Sequence, residues 1–165
     1  MNQELLGKVK LVAFDFDGVF TDNSVYISQE GIESVRCSRS DGLGLDRLRQ
    51  VNVQIIIIST EKNPVVSVRA SKLNIRCIQG VEDKAAEILK ICTELNIAPV
   101  YTMFVGNDIN DIPAFKSVGM PVGVNDAYPE IFPHIIFTTT TRGGYGAVRE
   151  LCDMIYHAKL KTEPV

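Results

Sequence analysis

The sequence predicts an α/β protein built on a doubly wound parallel sheet, with a β-hairpin inserted after the first strand. Three features predict it. Apolar β-rich runs without polar alternation recur along the 165 residues, as expected of strands covered on both faces. Stretches with helical apolar spacing separate them, and the connections are short, which favours right-handed crossovers within one sheet. Residues 9–16 (VKLVAFDF) form the first such strand and run apolar until they meet Asp15. Residues 21–38 change character. Two short β-type pieces, SVYIS and ESVRCS, flank Gln29-Glu30-Gly31 and predict a hairpin with a glycine-containing turn. Residues 41–51 place Leu43, Leu48 and Val51 at helical spacing behind an Asp41 cap, and residues 53–58 supply the second buried strand. A helix over 64–73 starts with Pro64 in its first turn. A short strand over 75–78 precedes a helix over 82–95, and Pro99 breaks the chain. Strands over 101–105, 120–124 and 135–138 and helices over 108–116 and 145–159 complete the alternation.

Length and composition bound the rest. A single domain over 1–165 hides about 70% of the surface that its open chain exposes, enough for a core without disulfide or metal staples. The longest apolar run is far short of the roughly 20 residues of a membrane span, and the opening MNQELLGKVK lacks a signal-peptide apolar region. A cytoplasmic protein without membrane association is the expectation. The formal net charge is −3 and no stretch gathers more than a few Lys or Arg, which excludes nucleic acid as a partner. Cys37, Cys77, Cys92 and Cys152 are widely spaced without Cys-x-x-Cys, so buried free thiols are expected rather than structural zinc.

Ligands in a doubly wound sheet bind outside the carboxyl ends of the strands. The residues predicted there are Asp15, Asp17, Ser59, Thr60, Lys84 and Asn107-Asp108-x-x-Asp111. Asp15 and Asp17, two apart on extended backbone, project the same way, and Gly18 lets the chain turn sharply beside them. That pair can hold a divalent cation, although DxDG alone also reads as a strand-terminal turn. A strand-end Ser is commonly a backbone cap, a first-turn Lys is commonly solvated, and GNDxxD also reads as a helix cap.

Taken in order, these motifs resemble the haloacid dehalogenase superfamily of phosphotransferases. Its first motif, DxDx(T/V), corresponds to Asp15-Phe16-Asp17-Gly18-Val19; its strand-end Ser or Thr to Ser59; its Lys to Lys84; its acidic group to Gly106-Asn107-Asp108-Ile109-Asn110-Asp111. The resemblance implies the Rossmann-like haloacid dehalogenase fold and an aspartyl-phosphate mechanism. Asp15 is then the nucleophile, and Asp17 the acid for the leaving alkoxide and the base for water. Mg²⁺ is then held by Asp15, the Asp17 carbonyl and Asp108, while Ser59 and Lys84 hold phosphoryl oxygens. Asp111 orients Lys84. Asn107, where the family often has Asp, is a direct ligand or an outer contact.

Only about 40 residues separate Asp17 from Ser59 and about 24 separate Ser59 from Lys84, so no cap domain fits and the site is open. With DGVFTD, RSDGLGL and the late RGGYGAVREL, the layout resembles the 3-deoxy-D-manno-octulosonate 8-phosphate and N-acylneuraminate 9-phosphate phosphatase family. That resemblance implies a homotetramer with the 21–38 hairpins at its centre, and a small-molecule sugar phosphate as substrate. Where octulosonate enzymes typically read TGRK, this chain reads Ser59-Thr60-Glu61-Lys62, followed by Arg69 and Lys72. Glu61, Arg69 and Lys72 resemble the nonulosonate enzymes, which implies a nine-carbon, sialic-acid-type substrate over the eight-carbon one. Arg69 and Lys72, three apart on a helix, share a face that can receive a carboxylate. Thr60 departs from the usual Gly beside the phosphate. The resemblance further implies that Arg142 and the tail 159–165 help close a neighbour's site. Two rival classes are a receiver-like regulatory domain and a non-catalytic oligomerisation module related to N-acylneuraminate cytidylyltransferase. The DxDG at the first strand argues against the former, and retention of Asp15, Asp17, Lys84 and Asp108 against the latter.

Overall fold

A computed structural model of the chain describes residues 2–162. Six parallel strands form the sheet: β1 (Leu11–Phe14), β4 (Gln54–Ile58), β5 (Arg76–Ile78), β6 (Thr102–Gly106), β7 (Met120–Gly123) and β8 (Phe137–Thr138). Their spatial order is β5-β4-β1-β6-β7-β8, so the chain winds outward from β1 in both directions. β2 (Thr21–Ile27) and β3 (Glu33–Cys37) pair antiparallel as a separate ribbon.

Burial follows the sequence logic. Every residue of β1 and β6 is buried, because helices cover both faces of the central strands. α2 (Ser40–Gln50) and α6 (Ala147–Thr162) pack against each other, with Gly44 close against Cys152 and Arg149, and Leu45, Leu48, Leu151, Cys152 and Ile155 are buried. α3 (Val65–Lys72), α4 (Lys84–Glu94) and α5 (Ile112–Ser117) complete the layers. Just past β1, Phe16 and Phe20 stack at 5.9 Å, and Phe20 meets Phe14 edge-on at 5.4 Å. This aromatic plug anchors the loop that carries Asp15 and Asp17.

Several expected features differ. The helix expected over 108–116 divides into a 3₁₀ turn, Ile109–Asp111, and α5, with Pro113 in the first turn of α5. The last helix begins at Ala147, since Gly144 and Gly146 hold positive φ before it. A short helix α1 (Gln3–Gly7), capped by Asn2, precedes β1, where no element was expected. Asp41 does not cap its own helix: it lies in the first turn of α2, and its Oδ1 accepts the Arg149 peptide N–H at the start of α6. Of the four free thiols only Cys92 and Cys152 are buried, because Cys37 ends a ribbon strand and Cys77 lies on the edge strand β5. Of the expected tail 159–165, residues 163–165 lie outside the described residues. No helix of the described residues is long and apolar enough to cross a membrane.

Candidate active site

The carboxyl ends of β1, β4 and β6 and the first turn of α4 bring the expected residues together. Asp15 continues β1 by donating its N–H to the Val105 carbonyl at 2.8 Å. Gly18, at φ +79°, reverses the chain, and any Cβ there would overlap the Asn107 amide. Thr21 Oγ1 accepts from Gly18 N at 3.0 Å and donates to Asp17 Oδ1 at 3.5 Å, which ties the turn to the second carboxylate.

Lys84 is the first residue of α4, yet it is only 2% exposed. Its Nζ lies 2.8 Å from Asp15 Oδ1 and 2.7 Å from Asp111 Oδ1. Asp111 is fully buried, and its Oδ2 accepts from Asn107 N at 2.9 Å. A buried ammonium between two carboxylates is satisfied where a lone one would not be. Burial by itself would depress the Lys84 pKa, but Asp15 and Asp111 overcome it and hold it above the ordinary value. Burial, and after it the Asp111 charge, push the Asp15 carboxyl up, against the pull of Lys84 and the Phe16 peptide N–H. Asp17 is also raised, first by burial and then by the charge of Glu61, with Glu33 from the ribbon adding to it.

The side chain that reaches Asp15 and Asp17 from β6 is Asn107. The amide atom on that side lies 3.0 Å from the Asp17 carbonyl oxygen and 3.3 Å from Asp15 Oδ2. With nitrogen there, the amide donates to both. With oxygen there, three oxygens converge, which is the environment of a hard cation. Among the described residues no three His, Cys, Asp or Glu side chains make a metal site on their own. A donor set of Asp15, the Asp17 carbonyl and the Asn107 amide oxygen fits a hard cation there. Asp108 spends Oδ1 on the Ile109 N–H at 2.7 Å, capping the 3₁₀ turn. Asn107 thus extends β6 toward Asp15, the direct contact of the two expected for it, while Asp108 caps the turn and lines the same cavity.

Above these groups lies a small cavity of about 130 Å³, lined by Asp15, Asp17, Ser59 and Thr60, by Asn107 and Asp108, and by Asn23 and Asn110. Ser59 Oγ accepts the Glu61 N–H at 3.1 Å. Glu61 Oε1 accepts the Lys62 and Asn63 N–H groups at 2.6 and 2.7 Å, capping the approach to α3. Arg69 and Lys72 do not line this cavity. With Arg39 and Leu73 they line a separate depression, and Arg69 donates to the Ser38 carbonyl at 2.9 Å. Arg142, largely exposed, lies 3.5 Å from Asp126 and outside the cavity lining. Sequence reasoning missed Asn23, Asn110 and Glu33. Asn110 had a readable signal, since it stands inside the Asn107–Asp111 motif.

A family model described as haloacid dehalogenase-like hydrolase matches residues 48–150. The chain belongs to the haloacid dehalogenase-like hydrolases. A 3-deoxy-D-manno-octulosonate 8-phosphate phosphatase of Salmonella typhi is 33% identical over 156 residues, 94% of this chain and 83% of that protein. A Streptomyces avermitilis structure assigned to the same hydrolase family shares 41% identity, with a TM-score of 0.87 over 89% of this chain and 84% of that one. The octulosonate phosphatase of Moraxella catarrhalis, solved with magnesium, phosphate and KDO, shares 31% identity, with a TM-score of 0.90 over 95% and 91%. The six-stranded sheet is thus that of a hydrolase family, and the chain is an enzyme of it.

Proposed function

We propose that the protein is a Mg²⁺-dependent phosphomonoesterase that acts on a 2-keto-3-deoxy sugar-acid phosphate through an aspartyl-phosphate at Asp15. The observation that carries this reading is the convergence of Asp15, the Asp17 carbonyl and the Asn107 amide beside the buried Lys84–Asp111 pair. The names of the octulosonate phosphatase relatives support the substrate class. When bound, Mg²⁺ supplies positive charge to offset the phosphoryl oxygens beside two carboxylates.

The chain's own residues do the rest. An Asp15 carboxylate oxygen attacks phosphorus, the bond to the ester oxygen breaks, and Asp17 gives that oxygen its proton. Burial and Glu61, which raise Asp17, favour the protonated form that this step needs. Asp17 then takes a proton from water, whose oxygen attacks phosphorus, releasing inorganic phosphate and the Asp15 carboxylate. Lys84 and Ser59 hold phosphoryl oxygens while charge moves, and Asp111 holds Lys84 in place. Asp108 lies at the cavity edge as a cap for the turn that presents Asn107.

For the sugar, the sequence likeness at Glu61, Arg69 and Lys72 favours the nine-carbon nonulosonate 9-phosphate; Arg69 and Lys72, which line a separate depression of their own chain, would act at a neighbouring subunit's site, as would Arg142. The named relatives favour a second reading, octulosonate 8-phosphate. Phosphate release with Mg²⁺ from N-acetylneuraminate 9-phosphate, its deaminated analogue, octulosonate 8-phosphate and p-nitrophenyl phosphate tests both. We expect turnover that Asp15→Asn lowers by about a thousandfold or more. Preference for the octulosonate would discard the nine-carbon reading and keep the mechanism. No turnover on any ester would remove the phosphatase reading.

A further inference from the structure

The cavity over Asp15 and Asp17 has a rim that none of these catalytic steps uses. Three uncharged side chains form it: Asn23 from β2, Thr60 from the loop after β4, and Asn110 from the 3₁₀ turn after β6. All three residues are exposed, and none of their side chains has a hydrogen-bond partner among the described residues. Asn23 is the informative one. It stands at φ +63°, where the ribbon register shifts between Thr21 and Val25. Asparagine, with glycine, is the residue that takes that left-handed conformation most readily, as at Asn52, Asn74 and Asn96. Its N–H is held at 3.2 Å by Thr21 Oγ1, the same oxygen that binds Gly18 N and reaches Asp17 Oδ1. The backbone is thus locked to the Asp17 loop, and this places the side chain in the cavity lining. Its amide lines the same cavity as Asp15 and Asp17.

We propose that Asn23, with Thr60 and Asn110, forms the leaving-group subsite: an uncharged collar that hydrogen-bonds the hydroxyls on the carbons adjoining the phosphoester. The class it selects is a polyhydroxylated alkyl phosphate. An aryl leaving group offers no hydroxyls to these amides, and a second anion beside the ester would meet no cation there. This rests on the phosphatase reading and adds the part of the substrate that Asn23 reads.

The test is the ratio of kcat/KM for whichever of N-acetylneuraminate 9-phosphate and octulosonate 8-phosphate the wild type prefers to that for p-nitrophenyl phosphate, with Mg²⁺, in the wild type and Asn23→Gly. Glycine keeps the backbone and removes only the amide. The ratio is expected to fall about tenfold, the effect of one lost hydrogen bond to substrate, chiefly through a higher KM for the sugar ester. Asn110→Ala, on a different element, is expected to move the ratio the same way by a smaller factor. An unchanged ratio in Asn23→Gly, whether both activities persist or both fall together, overturns the subsite. A wild type that cleaves none of N-acetylneuraminate 9-phosphate, octulosonate 8-phosphate and p-nitrophenyl phosphate removes the phosphatase reading and the subsite with it, so the two failures are told apart.

Discussion

Asn107 sets the charge at the point where the cation fits. Its amide faces the Asp17 carbonyl and Asp15 Oδ2, where an Asp would place a second carboxylate against Asp15. A cation-free site is easier to hold with the amide, because a nitrogen there donates to both oxygens, whereas two carboxylates at that distance repel. A cation-loaded site is favoured by the carboxylate, which adds a full charge to the donor set. Asn107→Asp is therefore expected to lower the Mg²⁺ concentration for half-maximal phosphatase activity several-fold. It should also lower the thermal midpoint in chelator and enlarge the rise in that midpoint when Mg²⁺ is added. An Mg²⁺ activation curve identical to the wild type's would show that this amide does not contribute to the cation site.

At the scale of elements, the strands and helices were legible because period and punctuation agreed. Asn52, Asn74 and Asn96 all hold left-handed φ just past α2, α3 and α4, so three helices stop at an Asn set between apolar residues. The four motif positions were legible because each ends a strand or opens a helix. What sequence could not give was which neighbour turns inward, as with Asn107 against Asp108, and what lies across a helix pair, as with Asp41. Asp41 is 1% exposed, its Oδ2 has no partner, and its Oδ1 holds the Arg149 N–H at 3.3 Å. Burial pushes its carboxyl up to about 7, against the pull of the Arg149 N–H and the charges of Arg69 and Arg149. A raised carboxyl keeps its proton in the folded protein after the unfolded chain has lost it. Stability from this group is thus fully present below the unfolded value of 3.8, falls as pH rises, and levels off above about 7. The whole loss is on the order of 4 kcal/mol. Asp41→Asn cannot ionise, so its thermal midpoint relative to the wild type should climb between pH 4 and pH 7 and stay flat above. A difference that does not change with pH would mean that Asp41 is already ionised in the fold across that range.

For the whole molecule, the ribbon poses the remaining problem. A two-stranded hairpin is marginal in water, yet this one projects from the sheet with Val25, Tyr26, Ile27 and Ile32 each more than half exposed. It is held at both ends: beside the turn Asn63 donates to Glu33 at 2.9 Å, and nearer the base Arg36 donates to the Gly144 carbonyl at 3.2 Å and lies over the Tyr145 ring at 4.3 Å. Its position is therefore fixed while Val25, Tyr26, Ile27 and Ile32 stay exposed in the single chain. The cavity beside it is too small to enclose a sugar acid, so selectivity beyond the leaving group needs groups from outside it. Assembly through the ribbons into a tetramer would cover the tip and bring a neighbour's residues over each site. Sedimentation at micromolar concentration is expected to give a mass close to four times 18.2 kDa. The double variant Ile27→Glu, Ile32→Lys should shift the species toward monomer. Its kcat/KM for the sugar-acid phosphate should fall by tenfold or more while its aryl phosphatase activity persists, because the catalytic groups all lie within one chain. A wild type that sediments as a monomer, or a monomeric variant that keeps its full sugar-acid activity, would show that one chain supplies its own selectivity.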